Sequence, residues 1–140
     1  MSAVVKVVRK LSASPERVFD AWLDPEKIRG WMVAPGPGEV LRVQLEARVG
    51  GKFSFLIRRQ DGDVDHVGEY LELDQPRRLA FTWAVPKYSS EVTRVSLDFA
   101  PAGSGTEVTL VHEGVLEEYR ERTEEGWGKI LGAIEGTLGR

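Results

Sequence analysis

Hydrophobic positions change their spacing three times along the chain, and each change marks an element. Residues 3–11 alternate and are rich in β-branched types, so they predict a strand. A helix start follows: Ser14 can cap the first amides, Pro15 suits the first helical position, and Glu16 complements the helix dipole. Val18, Phe19, Trp22 and Leu23 then share one apolar face of a short helix that runs to about Leu23. Asp24, Pro25 and Glu26 repeat the start signal for a second short helix carrying Ile28 and Trp31, and the Pro/Gly-rich stretch 35–38 ends it. From Glu39 to Glu113 the period is two. Strands are predicted at 40–47, 51–59, 64–73, 78–85, 92–100 and 106–112, separated by Gly-, Asp- and Pro-bearing turns too short for anything but an antiparallel meander. The stretch 117–138 returns to helical spacing, with Trp127, Ile130, Leu131, Ile134 and Leu138 in one stripe. Such a helix is about 30 Å long.

One strand, two short helices, six more strands and a long final helix make an α+β plan. A curved sheet wrapped around the last helix buries both, and the helix covers only part of the concave face. The rest is either packed solid or left as a cavity. No repeat or linker interrupts 1–140, so one domain is expected.

Alternation also assigns faces. Phe53, Phe55 and Ile57 are expected inward, as are Leu79, Phe81 and Trp83, then Val95, Leu97 and Phe99, then Val108, Leu110 and His112. In 64–73 the set Val67, Leu71 and Leu73 reads as inward and carries Glu69 with it, leaving His66, Gly68 and Tyr70 outward. A bulge in this strand would instead turn Glu69 to solvent. Glu69 and His112 thus become two polar groups on an apolar face, where an unpaired charge is costly. They either pair, meet water at a cavity mouth, or await the polar end of a ligand; His112 can also serve simply to tie the following loop. Trp22 fits plain core, and so does Trp127, which stays among the candidates for the wall. Trp31, beside the Pro/Gly-rich loop, is placed at an entrance that the loop would gate.

Composition removes alternatives. The 140 residues carry a net charge of −3 with Lys and Arg scattered, which gives no footprint for nucleic acid or an anionic membrane. No apolar run approaches the roughly 18 residues of a membrane span, and residues 3–8 are too short for a signal peptide, so a cytoplasmic protein is expected. With no cysteine and two histidines, thiol and metal chemistry have no donor set, and neither a cofactor nor a metal is expected. No G-x-S-x-G or phosphate-binding loop is present. Gly128, Gly132 and Gly136 form a helical stripe about 150° from the apolar face, each costing about 1 kcal/mol of helix propensity. Such a stripe would permit a homodimer through the C-terminal helix, or be a tolerated surface.

Several motifs, in one order, resemble a known family. They are Ser14-Pro-Glu-Arg-Val-Phe-Asp-Ala-Trp22, Asp24-Pro25 with Trp31, Arg48-Val-Gly-Gly51, Gly68-Glu-Tyr70, Leu79-Ala-Phe-Thr-Trp83, Thr109-Leu-Val-His-Glu-Gly114 and Gly126-Trp127. The chain is similar to the START-like (SRPBCC) superfamily, and within it to bacterial homologues of the activator of heat-shock-protein-90 ATPase. The resemblance implies a helix-grip fold with a pocket under the long helix. It implies no single activity, since the superfamily spans carriers of hydrophobic ligands, cyclases and co-chaperone domains. The eukaryotic co-chaperone has a further chaperone-binding domain for which 140 residues leave no room.

Three readings follow. The first is binding of a small apolar or amphipathic molecule, walled by Trp31, Phe53, Phe55, Phe81, Trp83, Leu97, Leu110, Trp127 and Leu131 and oriented by Glu69 and His112. The second is a cyclase- or hydratase-type enzyme using Glu69 and His112 as acid and base. The third is a co-chaperone-like stress-response module acting through its surface.

Overall fold

The computed structural model describes residues 2–32 and 38–138. In chain order they form β1 (Ser2–Leu11), α1 (Pro15–Ala21), α2 (Pro25–Trp31), β2 (Glu39–Leu45), β3 (Lys52–Arg59), β4 (Gly62–Asp74), β5 (Arg78–Trp83), β6 (Thr93–Ala102) and β7 (Gly105–Leu116). A 3-10 turn (Glu117–Tyr119) leads into α3 (Arg120–Leu138). The strands make one antiparallel sheet ordered β1-β7-β6-β5-β4-β3-β2, so β2 to β7 are a meander and β1 returns to pair with β7. This is the α+β helix-grip plan expected from the pattern.

The two short helices begin where their caps are. The Ser14 side chain accepts from the Arg17 amide, the Asp24 carboxylate accepts from the Glu26 amide at 3.0 Å, and a proline opens each helix. Seven residues cannot hold a helix alone. Burial does it: Val18, Phe19, Ile28 and Trp31 are at most 1% exposed, and each large apolar side chain fully buried is worth about 1.5–3 kcal/mol. Phe19 meets Phe99 of β6 edge-on at 5.4 Å, while Trp31 lies 4.8 Å from Trp22 and 6.4 Å from Phe55. α3 presents Trp127, Ile130, Leu131, Ile134 and Leu138 to the same core.

The inward sets predicted for β3, β5, β6 and β7 are found there: Phe53, Phe55, Ile57, Leu79, Phe81, Val95, Leu97, Phe99, Val108 and Leu110 are all buried. In β4 the expected faces are corrected. Residues paired directly across an antiparallel ladder share a face, and the pairs are Ile57 with Val64, Phe55 with His66, Phe53 with Gly68, and Phe81 with Tyr70. Val64, His66, Gly68 and Tyr70 therefore face inward, and Glu69 faces out. The cause is a bulge between Tyr70 and Glu72 that shifts the alternation, so that Leu73, opposite Leu79, is inward again. Gly68 is required at its place: a Cβ there would stand 2.4 Å from the Phe53 ring and 1.9 Å from the Thr82 carbonyl.

Two glycines of the α3 stripe have a partner within the chain. A Cβ at Gly128 or Gly132 would lie 3.2 or 3.7 Å from the Arg9 guanidinium of β1, so these positions make room for that side chain; Gly136 meets nothing within 4 Å. Among the described residues no helix is long and apolar enough to cross a membrane.

Candidate functional site: a cleft at the open end of the grip

α1 and α2 close one end of the concave face, and the first half of α3 leaves the other end open. There two adjoining recesses, of about 370 and 230 Å³, share Trp83, Val85, Tyr88, His112 and Thr123. The larger continues past Val115 and Tyr119 to Arg122; the smaller runs inward to His66, Trp127 and Ile130. The walls are mainly apolar and aromatic, the usual surface for an apolar ligand. A third hollow, about 530 Å³ between β1 and α3, is bordered by the charged residues Arg9, Glu124, Glu125 and Lys129 and by no aromatic side chain.

His112 is locked in the floor of this cleft. The Trp127 indole can only donate, so its Nε1–H gives a hydrogen bond to His112 Nδ1 at 3.0 Å. The imidazole proton must then sit on Nε2, which donates to Thr93 Oγ1 at 2.7 Å, and the Thr93 hydroxyl donates to the Trp83 carbonyl at 2.8 Å. This chain fastens α3 to β7, β6 and β5. Burial pushes the His112 pKa down to about 4, so the ring is neutral at physiological pH. With both nitrogens engaged, it has neither a free lone pair nor a spare proton for a substrate.

His66 is different. Its Nδ1 lies 3.0 Å from the Phe55 carbonyl, which can only accept, so Nδ1 carries the proton and Nε2 is an acceptor. The ring sits 5.5 Å from Trp83 and borders the smaller recess. Burial lowers its pKa, Arg59 adds to that effect, and the Phe55 carbonyl and Asp65 oppose it.

Of the residues expected in the site, Trp83, His112 and Trp127 come together at the cleft. Phe53, Phe55, Phe81, Leu97, Leu110 and Leu131 are buried against one another beneath it and do not border it. Trp31, expected at an entrance, is 1% exposed, and its Nε1 donates to the Ala21 carbonyl at 2.8 Å; the capping of α2 turns it into the core. The neighbouring stretch 33–37, including most of the Pro/Gly-rich loop expected to act as a gate, lies outside the described residues. Glu69, on the opposite face from His112, forms no acid/base pair with it. Its amide donates to Thr82 Oγ1 at 2.9 Å.

His66, Tyr88, Tyr119 and Thr123 were missed by the strand pattern. His66 could have been found from Val64 and Tyr70, which make the even-numbered set of β4 apolar before Leu71 and Leu73 make the odd set so. Tyr88 sits in the β5–β6 loop and carries no periodic signal. Its hydroxyl donates to Asp61 at 2.9 Å, and Lys87 Nζ donates to the Asp61 carbonyl at 2.9 Å, strapping this loop to the β3–β4 turn. Among the described residues no group of three or more His, Cys, Asp or Glu side chains could hold a metal ion.

Known proteins place this architecture. The family described as activator of Hsp90 ATPase homolog 1-like protein matches residues 12–139. Protein CV1439 from Chromobacterium violaceum is similar at 27% identity and TM-score 0.86, covering 96% of each chain. The AHSA1-like protein from Aeromonas hydrophila, at 22% identity and TM-score 0.83, covers 97% of this chain and 92% of its own. Protein SA2116 from Staphylococcus aureus shares 15% identity at TM-score 0.86, over 99% and 94% of the two chains. These last two likenesses concern the fold alone. No curated protein matches the chain. With nearly its whole length matched and the helix-grip sheet in place, the chain belongs to the activator of Hsp90 ATPase homolog 1-like family.

Proposed function

We propose that the protein binds a small hydrophobic or amphipathic molecule in the cleft between the first half of α3 and the ends of β5 to β7. The observation that carries this reading is the pair of joined recesses, about 370 and 230 Å³, walled by Trp83, Val85, Tyr88, Tyr119 and Trp127. Their combined opening suits a ligand of a few fused rings or a short acyl chain. Arg122, the cation at the outer end and 5.8 Å from the Tyr119 ring, suits the polar end of an amphipathic ligand. An acid/base reading through Glu69 and His112 lacks support, because the two face opposite sides of the sheet and His112 is fully engaged.

Gly126 offers a clean test. It borders the smaller recess, and a Cβ built on it meets nothing within 4 Å. Gly126→Leu starts from a Cβ with open space around it, so it should narrow the recess, and it should raise helix propensity by up to about 1 kcal/mol. Binding of N-phenyl-1-naphthylamine, followed by energy transfer from tryptophan, is expected to weaken by about tenfold or more as one hydrophobic contact area is lost, while thermal stability holds or rises. Unchanged binding in a stable Gly126→Leu variant would place the ligand elsewhere.

A further inference from the structure

His66 and His112 border the same recess, but their hydrogen-bonding states are opposite. His112 spends Nδ1 on Trp127 and Nε2 on Thr93. His66 spends only Nδ1, on the Phe55 carbonyl, and its Nε2 has no hydrogen-bond partner among the described residues. The Tyr88 hydroxyl, which borders the same recess, is already given to Asp61. An apolar-walled recess therefore contains a neutral imidazole nitrogen that can accept and cannot donate.

We propose that His66 Nε2 selects ligands that carry a hydroxyl or N–H donor on an otherwise apolar ring system, by accepting that hydrogen bond inside the cleft. This rests on the cleft being the ligand site, and it names the ligand class: apolar aromatic alcohols, phenols or amines ahead of their alkylated counterparts. The reason is an asymmetry. In the empty recess Nε2 is open to solvent; a bound molecule with no donor shuts solvent out and leaves a buried acceptor unpaired, which costs more than the new hydrogen bond gains. The ring is held for the task by the Phe55 carbonyl on one nitrogen and by the Trp83 ring 5.5 Å away. Burial and Arg59 both favour the neutral form, in which the acceptor exists, over the opposing pull of Asp65 and the Phe55 carbonyl.

The experiment is calorimetric titration of 1-naphthol and of 1-methoxynaphthalene, which differ in the donor, into the wild-type protein and His66→Phe at neutral pH. Phenylalanine keeps a flat ring beside Trp83 and removes the acceptor. The wild type should prefer 1-naphthol by about tenfold, and His66→Phe should bring the preference to within about twofold. Equal binding of the two compounds by the wild type, or a preference that survives in His66→Phe, overturns the role of His66 and leaves the cleft reading standing. If neither compound binds the wild type, both fall. Should His66→Phe fail to fold, nitrogen-15 correlation of the wild-type imidazole decides. The His66 Nε2 resonance should move with 1-naphthol and hold still with 1-methoxynaphthalene, and an Nε2 indifferent to 1-naphthol overturns the proposal.

Discussion

The two ends of the concave face carry similar aromatic side chains and do different things with them. At the closed end, Trp22, Trp31, Phe19 and Phe99 are sealed by α1 and α2, and Trp31 Nε1 is satisfied by the Ala21 carbonyl. At the open end, Trp83, Tyr88 and Tyr119 stand partly exposed around a cleft, and Trp127 reaches it from beneath. Aromatic content therefore does not distinguish core from binding wall here. Coverage does: two seven-residue helices cap one end, while the β5–β6 loop strapped by Tyr88 and Lys87, the 3-10 turn and the start of α3 only rim the other.

The comparison breaks most visibly at its tryptophans. Trp31→Ala should cost about 3–5 kcal/mol in urea denaturation, because a fully buried ring leaves a cavity that the packed end cannot close. Trp83→Ala should cost less, about 1–2 kcal/mol, since part of its ring is already in water, yet it should weaken binding of N-phenyl-1-naphthylamine where Trp31→Ala, if folded, does so far less. Equal stability losses would erase the distinction between the ends.

Next in size is the response to pH. His112 titrates near 4 when folded and near the ordinary 6.5 when unfolded. Between those values the unfolded chain binds the proton that the folded chain refuses. The stabilisation is thus fully present above about pH 6.5 and is lost as pH falls towards 4, on the order of 3 kcal/mol in all. Denaturation midpoints measured at several pH values should show this loss in the wild type and a smaller one in His112→Asn. A His112→Asn slope equal to the wild-type slope would mean that His112 is not the buried titrating group.

The smallest effects concern the helix that joins the two ends. Gly136→Ala, with open space at the Cβ, should stabilise by up to about 1 kcal/mol. Gly128→Ala should gain less, because its Cβ would stand 3.2 Å from the Arg9 guanidinium and must displace it. Thermal melts that rank the two variants the other way would contradict the role given to Arg9.

Much of this fold can be read from alternation and caps. β3, β5, β6 and β7 keep a strict period across the residues that pack, and Ser14, Pro15, Asp24 and Pro25 mark the short helices. β4 could not be read the same way, because one bulge after Tyr70 exchanges its faces, and Glu69 and His66 trade places with it. A change of apolar parity from Val64, Gly68 and Tyr70 to Leu71 and Leu73 is the trace that such a bulge leaves. Trp31 and Trp127 were harder, since their spacing shows that both are apolar-face residues but not which end of the face each reaches. Tyr88 and Tyr119 belong to a loop and a 3-10 turn, where no period exists to assign them.

The central claim, that ligands enter at the open end, can be tested with the four indole N–H groups as reporters, two at each end. In a proton–nitrogen correlation spectrum titrated with 1-naphthol, the account predicts large shifts for Trp83 and Trp127, a smaller one for Trp22, whose ring lies 6.2 Å from that of Trp127, and the least for Trp31. Shifts concentrated on Trp22 and Trp31 would contradict it.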